Sequence, residues 1–131
     1  MKLIKTLLLP ACLLWLATGA FGAQVDAETA ASVVTGWLQL DQKPFGEPLG
    51  GKVNSVETFK NDNGIPMYYV VYLEPSGFVI VSADNQVEPI IAFVKQGRFD
   101  PSLNNPLGAL VSRDVPVRVA HARARGGSSR R

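Results

Sequence analysis

Residues 67–94 read MYYVVYLEPSGFVIVSADNQVEPIIAFV, and this stretch decides the fold. It contains three short runs of mainly β-branched and aromatic residues, which suit a pleated, half-buried surface. Pro75-Ser76-Gly77 and Asp84-Asn85-Gln86 separate the runs, and both triplets are typical of tight turns. Short runs joined by tight turns predict an antiparallel meander with strands over 67–73, 78–83 and 90–94.

Two elements are predicted before the meander. Residues 52–60 form a weaker strand, and Asn63-Gly64 is a turn pair that tolerates positive φ, so the sheet has four antiparallel strands over 53–94. Residues 26–39 form an amphipathic helix with Asp26 as its N-cap. Its apolar stripe is Ala30, Val33, Val34, Trp37 and Leu38. One helix covering one face of the sheet predicts an α+β domain of two layers, with Gly36 allowing a close crossing.

The residues after the meander predict short helices and a tail. Asn105-Pro106 is a helix start, with Asn at the N-cap and Pro at the first helical position. Asp114-Val115-Pro116 repeats this pattern and predicts a second helix start. Beyond Ala120 no apolar period is recognised, so this Arg-rich end is expected to be disordered. We therefore divide the chain into residues 23–115, a folded domain, and 116–131, a basic and partly disordered tail.

Residues 1–22 have the order of a secretory signal peptide. Lys2 and Lys5 precede an apolar segment, and small residues follow it, with cleavage expected between Phe21 and Gln24. The apolar segment is shorter than the roughly 20 residues of a membrane span, so no stable membrane anchor is expected. Cys12 is the only cysteine and would leave with this segment. The sequence thus predicts a secreted or periplasmic protein without disulfides.

The charges are unevenly distributed along the predicted mature chain. Residues 23–112 carry five cations and ten anions, whereas residues 113–131 carry six arginines and one acid. A basic tail can bind nucleic acid, but this tail has no aromatic residue on which bases could stack. Together with the predicted export, this argues against a nucleic-acid partner.

Catalytic and metal-binding patterns are not found in the sequence. His121 is the only histidine, and no cysteine remains after processing, so neither a Cys-His pair nor a Ser-His-acid set can be assembled. Asp84 and Glu88 lack the spacing and the glycine of an EF-hand calcium loop. No glycine-rich phosphate loop is present. We expect a chain without cofactor or metal that is not itself an enzyme.

Four motifs together resemble a known family. They are Gly77-Phe-Val-Ile-Val-Ser-Ala-Asp84, Glu88-Pro-Ile-Ile-Ala-Phe93, Gly97-Arg-Phe-Asp100 and Asn105-Pro-Leu107. Over residues 25–115 the chain is similar to the pro-region of streptopain-type bacterial cysteine peptidases, a module that also occurs alone as the Spi-type protease inhibitor. The peptidase domain of that family is not found in this sequence. We expect either a free inhibitor module or the pro-region of a truncated precursor.

The resemblance implies a folded segment that docks on a streptopain-like cysteine peptidase and blocks its cleft. Residues 99–107 follow the sheet and are expected to project into that cleft. The candidate contact residues are Phe99, Leu103, Asn104, Asn105 and Leu107. Two simpler roles stay open, since Asn105 can cap its helix and Phe99 can pack under the sheet. A different class of function, a secreted adhesion or scaffold module without a peptidase partner, also stays open.

Overall fold

The computed structural model describes residues 24–46 and 48–128, so the predicted signal peptide and cleavage site lie almost wholly outside the described residues. Within them, the elements are α1 (Ala27–Leu40), a 3-10 turn (Pro44–Gly46), β1 (Lys52–Lys60), β2 (Pro66–Glu74), β3 (Phe78–Ser82), β4 (Ile90–Val94) and α2 (Pro106–Ser128). The strands form one antiparallel sheet in the order β1-β2-β3-β4. The predicted α+β class and the four-stranded meander are confirmed.

The turn between β2 and β3 shows why the predicted glycine is needed. Gly77 has a φ of +95°. A Cβ at this position would also lie 2.6 Å from the carbonyl oxygen of Val94 on β4. Only glycine suits both the positive φ and the close approach of the neighbouring strand. The turn thereby sets the register in which Val70 faces Ile80.

Both faces of the sheet are covered by a helix. On one face α1 contributes Ala30, Val34 and Leu38 to a cluster with apolar residues of β2 and β3. On the other face α2 contributes Val111, Val115 and Val119. The prediction of two layers is therefore wrong, and the domain has three. The reason is visible in β2 and β3, which are apolar at nearly every position and so need cover on both sides.

The C-terminal helix is much longer than predicted. The second helix start at Asp114 is wrong, because α2 runs without a break through Pro116. The predicted disorder after Ala120 is wrong as far as Ser128, and residues 129–131 lie outside the described residues. Proline removes one helical hydrogen bond. The buried side chains on either side, Val115 and Val119, hold the helix against the sheet, since tertiary packing supplies most helix stability.

Arg123 lies in the segment that the sequence analysis predicts as a tail, but in the structure it is part of the folded domain. Its Nη2 donates to the carbonyl oxygen of Pro66 at 3.1 Å, and its Nε lies 3.4 Å from Oδ2 of Asp84. The Asp84 side chain is buried, and its Oδ1 also accepts from the backbone N–H of Gln86 at 2.8 Å. Loss of one partner from a buried ion pair leaves an uncompensated charge. Arg123 thus ties the far part of α2 to the turn after β3.

Helix α1 begins where the sequence predicts, but it does not pack closely on the sheet at Gly36. Oδ1 of Asp26 accepts from the N–H of Thr29 at 2.7 Å, which confirms the N-cap. Trp37 is half-buried and makes a tilted contact with the ring of Phe93 on β4, at 5.2 Å between ring centroids. No atom outside the helix lies within 4 Å of a Cβ built on Gly36, so the expected close crossing at this glycine is wrong.

Two glycine-to-alanine substitutions in helices should have opposite effects. Gly36→Ala should raise the free energy of unfolding by about 1 kcal/mol, because alanine is the better helix former and the site is open. Gly108→Ala in α2 gains the same propensity but should destabilise, because its Cβ would lie 2.7 Å from the carbonyl oxygen of Ser102 and would also overlap that of Asp100. Urea denaturation measures both, and stabilisation by both variants would contradict the packing around Gly108.

The tyrosines provide a test of the core by titration. Burial raises the pKa of Tyr68, Tyr69 and Tyr72, and these are all the tyrosines of the chain. Unfolded tyrosines ionise near pH 10. The folded state therefore keeps its phenolic protons up to a higher pH than the unfolded chain does. The resulting contribution to the free energy of unfolding is present below pH 10 and is lost as the pH rises above it. Phenolate absorbance should rise at higher pH for the native protein than for the urea-unfolded chain. Coinciding curves would contradict the burial.

Candidate functional site

The candidate site is the connection between β4 and α2, and Phe99 anchors its first half. The Phe99 side chain is 8% exposed. Its ring meets Phe59 edge-on at 5.4 Å and lies 5.9 Å from the ring of Phe78 and 6.1 Å from that of Tyr68. Such tilted contacts are favourable between aromatic rings. Phe99 is therefore a core residue in this structure, which agrees with the simpler of its two predicted roles.

A second contact fixes the same half of the connection. The guanidinium of Arg98 lies 4.1 Å from the centroid of the Tyr72 ring, a cation–π contact. The hydroxyl of Tyr72 donates to Oε2 of Glu57 at 2.9 Å. Burial raises the pKa of Tyr72, and this hydrogen bond to a carboxylate raises it further. Sequence reasoning missed this arrangement, because it depends on which residues of β1 and β2 share a face.

Asn105 fixes the second half of the connection at the start of α2. Its Oδ1 accepts from the N–H of Gly108 at 2.9 Å, so the predicted N-cap is confirmed. Its own N–H donates to the carbonyl oxygen of Ser102 at 3.1 Å. The Asn105 side chain is half-buried, and its acceptor oxygen is already engaged. Within this structure it acts as a helix cap, again the simpler of its two predicted roles.

Further hydrogen bonds hold the turn between these anchors. Oδ1 of Asp100 accepts from the N–H of Ser102 at 2.9 Å, which stabilises a tight turn of the backbone. The hydroxyl of Ser112 on α2 donates to the carbonyl oxygen of Pro101 at 3.1 Å. Gly108 allows this approach, since any Cβ there would meet the same stretch of backbone. Sequence reasoning missed Ser112 and Gly108.

The two anchors leave residues 101–104 exposed, and we call these four residues the tip. Leu103 is 61% exposed, and Asn104 is exposed as well. Leu107 is half-buried and packs against the α2 side of the core. Of the five candidate residues, only Leu103 and Asn104 are thus fully available to a partner. Leucine can fill an apolar pocket, and the asparagine amide can both donate and accept hydrogen bonds.

Other kinds of site have little support among the described residues. No group of three or more His, Cys, Asp or Glu side chains there is placed to hold a metal ion. His121 lies exposed on α2. In residues 24–46 and 48–128, neither helix has the length and apolarity that a membrane span requires.

Comparison with known proteins places this chain in a family. No match was found among curated proteins, and none among solved structures. The model of one family, described as Spi protease inhibitor, matches residues 22–113, which include the sheet, both anchors and the tip. The match covers well over half of the chain, and the chain therefore belongs to the Spi protease inhibitor family.

Proposed function

We propose that this protein inhibits a streptopain-like cysteine peptidase by inserting its tip, residues 101–104, into the active-site cleft. The observation that carries the proposal is the exposed pair Leu103 and Asn104, held between a buried aromatic ring and a capped helix start. In this proposal Leu103 and Asn104 contact the peptidase directly. Phe99, Asn105 and Leu107 position them from the core and from α2.

The anchoring of the tip favours binding for an energetic reason. A flexible loop loses conformational freedom when it binds, and that loss opposes association. Here the hydrogen bonds of Asp100, Ser112 and Asn105 restrict the backbone before any partner arrives. Less freedom is then lost on binding, so more of the contact energy contributes to affinity.

We further propose that the chain acts in trans, outside the cytoplasm and without catalysis of its own. The thiolate that a cysteine peptidase needs cannot come from a processed chain that has lost Cys12. The order of residues 1–22 supports export to the periplasm or the medium.

Substitution of the tip should weaken inhibition without unfolding the domain. The double variant Leu103→Ser, Asn104→Ala removes the exposed contacts, and we expect the inhibition constant to rise by about tenfold to a hundredfold, as for loss of a central contact pair. Steady-state inhibition of a purified streptopain-like peptidase measures this effect. The thermal melting temperature should stay nearly unchanged, because neither side chain belongs to the core.

Two control variants separate contact from folding. Ile65→Ser changes another exposed apolar side chain, at the β1–β2 turn, and should leave inhibition unchanged. Phe99→Ala should lower the free energy of unfolding by about 3–5 kcal/mol and disturb the tip with it. An unchanged inhibition constant for the folded tip variant would remove Leu103 and Asn104 from the interface. Absence of inhibition by the wild type would favour the adhesion or scaffold role.

Export makes a separate prediction about the mass of the product. Expression of the full chain in a bacterium should yield an exported protein that begins between Phe21 and Gln24 and contains no cysteine. Intact-mass spectrometry of the periplasmic and medium fractions reads the cleavage position directly. A lipid-modified product beginning at Cys12 would overturn both the cleavage site and the absence of an anchor.

A further inference from the structure

The outward face of α2 carries large apolar side chains that the fold does not use. Leu110 is 63% exposed and Val117 is 54% exposed, and Ala124 is exposed in line with them. Seven residues make about two helical turns, so these positions share one face. The core residues Val111 and Val115 point to the sheet instead. We call Leu110, Val117 and Ala124 the outer stripe.

The outer stripe begins close to the tip and leads away from it. The tip ends at Asn104, and α2 starts two residues later at Pro106. At 1.5 Å per residue, Leu110 lies about 6 Å along the axis from the first helical residue, and Val117 about 10 Å further. The first turns of this helix are therefore within reach of a partner that encloses the tip in a cleft.

The charges around the outer stripe are mainly positive. Arg113 and Arg125 are exposed on its flanks, and Arg113 lines the same shallow groove as Leu110 and Val117. The acid in that groove, Asp114, is engaged by Nε of Arg118 at 2.7 Å. Glu88, which lies beside Val117 and Ala124, is 3.8 Å from Nη1 of the same arginine. A surface that complements this face has an apolar centre and an acidic rim. A second copy of the same face complements it less well, because its nearby acids, Asp114 and Glu88, are already paired with Arg118.

We propose that the outer stripe is a second docking surface for the target peptidase, outside the active-site cleft, and that it takes an apolar patch with an acidic rim. This inference rests on the proposed function, since it assigns a further contact to the same partner. The tip then supplies blockage of the cleft, and the outer stripe supplies affinity that does not depend on the cleft being open.

The test uses a purified streptopain-like peptidase in two forms, one free and one with its catalytic cysteine alkylated by a small covalent inhibitor that fills the cleft. The wild-type chain should still bind the alkylated form, more weakly than the free form. The double variant Leu110→Gln, Val117→Gln should bind both forms at least about tenfold more weakly. The control Leu40→Gln, a substitution at the end of α1 on the opposite layer, should bind like the wild type, although Leu40 is 90% exposed.

The possible results separate this inference from the proposed function. If the wild type inhibits the free peptidase and the double variant binds it equally well, the docking surface is overturned while the proposed function stands. If the wild type neither binds nor inhibits the free peptidase, the proposed function and the docking surface are both overturned. If sedimentation shows a wild-type dimer that the double variant separates, the outer stripe joins two copies of the chain, and the inference is overturned.

Discussion

The structure depends on one constraint: strands β2 and β3 are apolar on both faces. A sheet of this kind is stable in water only when a layer covers each side. α1 supplies one layer and α2 the other, so α2 has to pack along the second face of the sheet. The length of α2, the helical state of much of the Arg-rich segment and the pairing of Arg123 with Asp84 all follow from the need to cover this second face.

The same constraint shapes the connection that carries the tip. The chain leaves β4 at the edge of the sheet and has to enter the second layer, and it does so by burying Phe99 among Phe59, Tyr68 and Phe78. The turn that follows is thereby fixed to the core at one end and to the start of α2 at the other. Leu103 and Asn104 are exposed because the residues on both sides of them are used for packing and capping. In such an arrangement the stability of the fold and the shape of the proposed inhibitory surface are coupled.

Local signals explain what the sequence could predict. The stripe of α1, the turn at Gly77 and the caps at Asp26 and Asn105 depend on residues a few positions apart, and all of them are found in the structure. The missed features depend on distant residues. Arg98 meets Tyr72 across 26 positions of sequence, and Arg123 meets Asp84 across 39. Val111, Val115, Val119 and Ala122 have the apolar spacing of a helix. That spacing was not recognised, because Pro116 indicated a break and the arginines indicated a disordered tail. The choice of Leu103 and Asn104 from five candidates needed the solvent exposure of each residue.

The position of α2 after the sheet in the sequence has a consequence for synthesis. Val115, Val119, Ala122 and Arg123 lie beyond residues 22–113, the part that matches the family model, yet they close the core. A ribosome makes the N-terminal elements first. Until the last helix has emerged, the face formed by Tyr68, Val70 and Ile80 stays open to water, and the growing chain cannot complete its fold. The order of elements therefore delays folding of this domain until α2 has been synthesised.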